Sequence, residues 1–241
     1  IGKQLTAEQR LNKATVDIMA NPKYVALAGI LMIGDRGVKD DIPTACTNGR
    51  DEWYGREFVE KLNDAELRFL ILHESYHKLY RHLITWKHLY DDNPELSNIA
   101  CDYVINVKLV DDNADGFATM TGELSKGCFD AKYRNWDTAQ VFHDLKKNPP
   151  PTGGGQGNGG AGAGEVVSGT LTGFDEHDWD GAKEMTPEEK RELAKDIDEN
   201  IRQGATMAGK LGSGGDRDLA ELLEPQINWR EVLRDFITET C

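Results

Sequence analysis

Phe69-Leu70-Ile71-Leu72-His73-Glu74-Ser75-Tyr76-His77 is the stretch on which the reading of this chain turns. Its context predicts a helix over residues 63–83. Asn63 offers an N-cap with Glu66 as capping-box partner, and Phe69, Leu70, Leu72, Tyr76, Leu79, Tyr80 and Leu83 supply a broad apolar face. Residues four apart on a helix are separated by roughly 40° around its axis. His73 and His77 can therefore reach one metal ion from the same side, and neutral imidazole is a common zinc ligand. Glu74 flanks such an ion, where a carboxylate can take a proton from water and later deliver it to a leaving amine. The apolar residues just before His73 set the pair against buried surface, which argues against two surface histidines falling at this spacing by chance.

A catalytic zinc usually takes three protein ligands and keeps one open position. The next helix outward runs over residues 94–110, through Leu96, Ile99, Ala100, Tyr103, Val104, Val107 and Leu109. On it Asn98, Asp102 and Asn106 fall at i, i+4 and i+8 and form one polar stripe. Buried polar groups need partners, so the stripe is expected to face the histidine helix. Asp102 is then the expected third ligand, with Asn98 and Asn106 in support. His177, backed by Asp175 in Asp175-Glu176-His177-Asp178-Trp179, is the reserve ligand. It could instead donate to the oxyanion of a tetrahedral intermediate. Tyr103, beside Asp102, is a second donor to consider, although Tyr76, Tyr80 and Tyr103 also fit core positions. His82 lies nine residues past His73, which on a continuous helix is the opposite face. His88 and His143 have no spaced partner. Asp111-Asp112-Asn113-Ala114-Asp115-Gly116 lacks the closing glutamate of a calcium loop and reads as a solvated turn.

Three segments carry a resemblance. They are Asn98-Ile99-Ala100-Cys101-Asp102-Tyr103-Val104-Ile105-Asn106 following the His73–His77 motif, the Asp175–Trp179 segment beyond a glycine-rich stretch, and Asn228-Trp229-Arg230-Glu231-Val232-Leu233. Together they resemble a family of bacterial and phage metallopeptidase domains that precede a von Willebrand A-like domain, over most of the chain. The resemblance implies an α+β, mostly helical zincin-like core with a small sheet and a C-terminal helical extension. It implies Zn2+ as cofactor, a peptide or protein as substrate, and a von Willebrand A-like domain as a partner C-terminal to this chain. One departure stands out against thermolysin-like zincins, whose second helix carries Glu-x-x-x-Asp, the Glu binding zinc and the Asp supporting a histidine. Here Asn98 takes the glutamate position and is a poor zinc ligand. Either Asp102 binds the ion itself, or it supports a histidine and the third ligand lies elsewhere.

The rest of the chain fits a zincin-like organisation. Thr6 caps a helix to Asn21, residues 24–33 are apolar but ambiguous between helix and strand, and Asn48-Gly49 marks a turn before the strand Glu52-Trp53-Tyr54. Residues 45–54 could supply the edge strand along which a peptide adds. A further helix is expected over 138–146. Eight glycines in the twelve residues 153–164 mark a change of composition. The expected division is therefore a metal-binding core at 1–150, a glycine-rich insertion at 151–173 and a helical extension at 174–241. The extension holds a helix from Thr186-Pro187-Glu188-Glu189 to Leu211 and another from Asn228 that is still running at Cys241, so the natural chain is expected to continue.

A net charge of −14 argues against nucleic-acid binding, which requires phosphate neutralisation. No apolar run approaches the length of a membrane span, and the four scattered cysteines suit a reducing, cytoplasmic setting. A metal-dependent peptidase is the reading these features favour. A catalytically silent zincin-fold interaction module is the alternative, suggested by Asn98 and the glycine-rich insertion.

Overall fold

The computed structural model describes residues 4–149, 176–177 and 185–211. At its centre is α4 (Asp64–Leu79), a helix with almost no solvent face: every side chain from Phe69 to Leu79 is buried. Asn63 accepts from the backbone N–H groups of Ala65 and Glu66, and Glu66 accepts in return from the backbone of Asn63. This capping box satisfies donors that would otherwise be orphaned at the helix start.

Two helical layers and a small sheet surround α4. α1 (Ala7–Ala20), capped by Thr6 and Gln9, lays Leu11, Ala14 and Ile18 into the core. The ambiguous apolar stretch proves helical, as a 3-10 turn at Val25–Leu27 followed by α2 (Ala28–Leu31). The strands are β1 (Arg36–Lys39), β2 (Ala45–Thr47), β3 (Glu52–Gly55) and β4 (Glu176–His177), in the order β1-β3-β2-β4. β2 and β3 form an antiparallel hairpin, turned where Gly49 adopts a φ of 89° that disfavours any side chain. β1 runs parallel to β3, and β4 runs parallel to β2 with Cys46 opposite Glu176 and Thr47 opposite His177. The expectation that residues 45–54 expose a free edge is thereby corrected. β1 and β4 occupy the two sides of the hairpin, and they are the outer strands among the described residues.

After β3 come α3 (Arg56–Lys61), α4, α5 (His82–Thr85), α6 (Lys87–Asp92), α7 (Pro94–Asp112), α8 (Thr138–Lys147) and α9 (Pro187–Leu211). α7 is started by Asn93 as cap and Pro94 at the first turn. It serves two cores: Ile105 and Leu109 join the cluster around α4, while Ile99, Tyr103 and Val107 pack with Val141, Phe142 and Leu145 of α8. Its polar stripe is the face that remains. The acidic run that closes α7 is a turn whose charges are used, Asp111 with Arg134, Asp112 with Lys108 and Asp115 with Lys23.

α9 is part of the main core. Leu193, Ile197, Ile201 and Ala208 are buried in the same cluster as α1, α2 and α4. Burying each of its larger apolar side chains contributes about 1.5–3 kcal/mol. The approach to the N-terminal half is close, since a Cβ on Gly204 would sit 1.9 Å from the carbonyl oxygen of Ala26. The glycine-rich stretch, Asp175 and the helix expected from Asn228 lie outside the described residues. No described helix is long and apolar enough to cross a membrane.

Candidate metal centre

Because α4 is enclosed, each polar side chain on it must find its partners inside the protein. Two polar faces result, one toward α7 and one toward the sheet.

Toward α7, His73, His77 and Asp102 bring one donor atom each to a common point, all within 4.8 Å of one another. The two Nε2 atoms are 3.0 Å apart, and Asp102 Oδ1 stands 3.7 Å from His73 Nε2 and 3.5 Å from His77 Nε2. Donors held at zinc distances from a tetrahedral ion stand about 3.3–3.6 Å from one another, from simple geometry. The three separations straddle that range. All three side chains are nine-tenths buried or more. Two imidazoles and a carboxylate form a donor set that suits zinc, and these three residues could hold such an ion.

The orientation of His73 is fixed from behind. Asn106 donates through Nδ2 to the carbonyl oxygen of Cys128 at 2.8 Å, which turns its Oδ1 toward His73 Nδ1, also at 2.8 Å. A carboxamide oxygen only accepts, so His73 Nδ1 carries the proton and Nε2 presents a lone pair to the cluster. Asn106 thus holds the His73 ring in this orientation. Asn98, two turns before Asn106, is half-buried and does not belong to the donor cluster.

Glu74 is fully buried on α4. Its charge reaches the sheet side, where it contributes to the raised pKa of Tyr54, behind the larger effects of burial and Glu52. His177 lies on β4 with its backbone opposite Thr47. Tyr103 packs edge-on against Tyr133 in the α7–α8 core, and burial raises its pKa. It is a core residue. His88 and His143 are exposed.

The placement expected for His82 is overturned. α4 stops at Leu79, Arg81 takes a left-handed φ of 52°, and a new helix begins at His82. The break cancels the angular extrapolation, and His82 folds back into the site. It is 1% exposed, with Nδ1 3.1 Å from His77 Nδ1. Arg81 is tied to Asp198 on α9, which holds the turn in place. Nothing in the local pattern marks Arg81 as a breaker, since left-handed backbone is most common at glycine or asparagine.

The second face went unread in the sequence. Glu52, fully buried on β3, accepts from Arg36 Nε at 2.7 Å, Tyr54 Oη at 2.8 Å and Ser75 Oγ at 3.1 Å, and it pairs with Lys78 Nζ at 2.8 Å. Lys78 also donates to the carbonyl oxygen of Ile33. Burial alone would raise the Glu52 pKa, but Lys78 and Arg36 outweigh it and hold the carboxyl at about 2. Lys78 moves the other way: burial lowers its pKa, and the attraction of Glu52 is opposed by Arg36. For Arg36 the pull of Glu52 outweighs the cost of burial and raises its pKa. The advance sign in the sequence is a charged residue at position 52 opening a strand that continues with Trp53 and Tyr54.

No curated protein and no solved structure matches this chain. One family model does, over residues 6–241, across the glycine-rich stretch and α9 as well as the histidine helix. With that span and the His73–His77–Asp102 cluster in view, the chain belongs to the family described as "Putative metallopeptidase domain".

Proposed function

We propose that the chain is a zinc-dependent peptidase in which His73, His77 and Asp102 hold the ion and Glu74 moves the proton. The observation that carries this reading is the spacing of the three buried donor atoms. A divalent ion bound there supplies Lewis acidity, which lowers the pKa of water toward about 7 and polarises a carbonyl. Glu74 follows His73 on the same rigid helix and so lies beside the donor set rather than in it. Its carboxylate accepts a proton from the attacking water and returns it to the leaving amine. Asn106 keeps the His73 ring aimed while this happens. His177 is the proposed donor to the oxyanion, brought alongside the hairpin by β4.

A second reading is a fold that holds metal and catalyses nothing. The complete burial of His73, Glu74 and His77 favours it, because a peptide reaches these groups only after whatever covers them moves. Elemental analysis of the purified wild type, D102A and H177A, followed by peptide-library cleavage by wild type and E74Q, separates the two. The peptidase reading expects near-stoichiometric zinc, lost in D102A and kept in H177A. It expects hydrolysis that falls about 10²–10⁴-fold in E74Q with the metal retained. Full hydrolysis by E74Q overturns the role of Glu74, and zinc without any cleavage by the wild type favours the silent fold.

A further inference from the structure

We propose that His82 is the outer hydrogen-bond partner of His77, doing for that ring what Asn106 does for His73. The proposal rests on the metal reading above and deepens it.

The two nitrogens of His77 face different neighbours. Nε2 points to the cluster, 3.0 Å from His73 Nε2 and 3.5 Å from Asp102 Oδ1. Nδ1 points away from it, 3.1 Å from His82 Nδ1. A neutral imidazole carries a proton on one nitrogen and a lone pair on the other. To ligate through Nε2, His77 must hold its proton on Nδ1, and that proton needs an acceptor on a ring that is fully buried. His82 Nδ1 is the nitrogen placed to accept it. His82 then keeps its own proton on Nε2. The inner ligand sphere thus has two supports of different origin: an amide on α7 behind His73, and an imidazole on α5 behind His77.

The fold holds His82 there by a specific device. Arg81 leaves the helical region, a new helix starts at His82, and the ion pair between Arg81 and Asp198 fastens this break to α9. The rings of His77 and His82 meet edge to face with centroids 5.1 Å apart, and Tyr80 flanks His82 at 5.4 Å. His82 is therefore restrained on both sides and presents Nδ1, not its carbon edge, to His77.

The test compares H82F with H82N on zinc affinity by chelator competition, on the visible spectrum after cobalt substitution, and on thermal unfolding of the metal-free chains. H82F keeps the ring volume without an acceptor. H82N restores an acceptor oxygen near the position of Nδ1. The expected result is a 10–100-fold loss of zinc affinity in H82F, with most of it recovered in H82N and an altered cobalt spectrum in H82F alone. Wild-type affinity in a folded H82F overturns the proposal. Should H82F not fold, the nitrogen-15 spectrum of the wild-type zinc protein decides. A protonated Nδ1 on His77 beside a bare Nδ1 on His82 supports the proposal. A metal-bound nitrogen on His82, or a proton on its Nδ1, overturns it. Failure of the wild type to take up zinc defeats the metal reading and this inference together, whereas zinc in the wild type with H82F unchanged defeats this inference alone.

Discussion

On the sheet side of α4, Ser75 and Lys78 meet Glu52, Arg36 and Tyr54. On the α7 side, His73 and His77 meet Asp102, Asn106 and His82. Both clusters are buried on one helix, yet they are built on different terms. The sheet-side carboxylate has two cations and two hydroxyls around it, so its charge is answered wholly by protein. The α7-side carboxylate is answered by imidazoles, whose lone pairs turn toward the same point as its own oxygen. A buried ion pair holds a fold together only while complete. Converging lone pairs are useful only when something positive sits among them. The first face should therefore govern stability and the second metal affinity, with little crossover.

The sharpest attack on this contrast is E52Q. It leaves the buried Lys78 and the partly buried Arg36 without their anion and should cost about 3–5 kcal/mol in denaturant unfolding, while zinc per folded chain stays at the wild-type value. The same residue sets an acid limit. Its carboxyl is held at about 2 against an ordinary value of 4.5, so the folded state resists protonation in that window. The stabilisation is complete above pH 4.5 and is lost as the pH falls toward 2, in all about 3 kcal/mol at 1.36 kcal/mol per pH unit. Unfolding curves across this range should flatten in E52Q. A variant that sheds zinc and stability together would show that the two faces are one.

Next in size is chelation. With zinc at about 100 times its dissociation constant, stripping the ion should lower unfolding free energy by about 2.7 kcal/mol. In D102N the unfolding curve should not respond to chelator. N106L tests the support behind His73 more gently, with an expected 10–100-fold loss of zinc affinity and a metal-free melting curve near that of wild type. The smallest expected effect is N63A. It removes the cap on which both faces depend and should cost about 1 kcal/mol, shifting the melting curve without changing zinc per folded chain.

The parts legible in the sequence were those in which local chemistry and spacing agree. Asn63 with Glu66 and Thr6 each marked a helix start within a residue, and the second helix begins at residue 94 as its apolar pattern suggested. The i, i+4 repeats of His73–His77 and Asp102–Asn106 needed only unbroken helices to meet. What stayed hidden depends on distant contacts. Arg81 leaves the helix where no glycine or proline announces it, and its partner Asp198 lies far along the chain. Glu52 is an unremarked acid until Arg36 and Lys78 are seen beside it. β4 takes up the side of β2 from beyond a long composition change, which no periodicity within residues 45–54 could foretell.

The embedding of α9 also bears on how the molecule is made. A ribosome delivers the N-terminal half first, at about 5–20 residues per second. Leu27 and Ile30, and the groove beside Ala26 that accepts Gly204, then wait for their cover until residues 187–208 have emerged. Through that interval the nascent chain carries a ready-made but unlidded greasy surface, a target for holding chaperones. A version ended before Pro187 would keep that surface for good, and it should be recovered as aggregate.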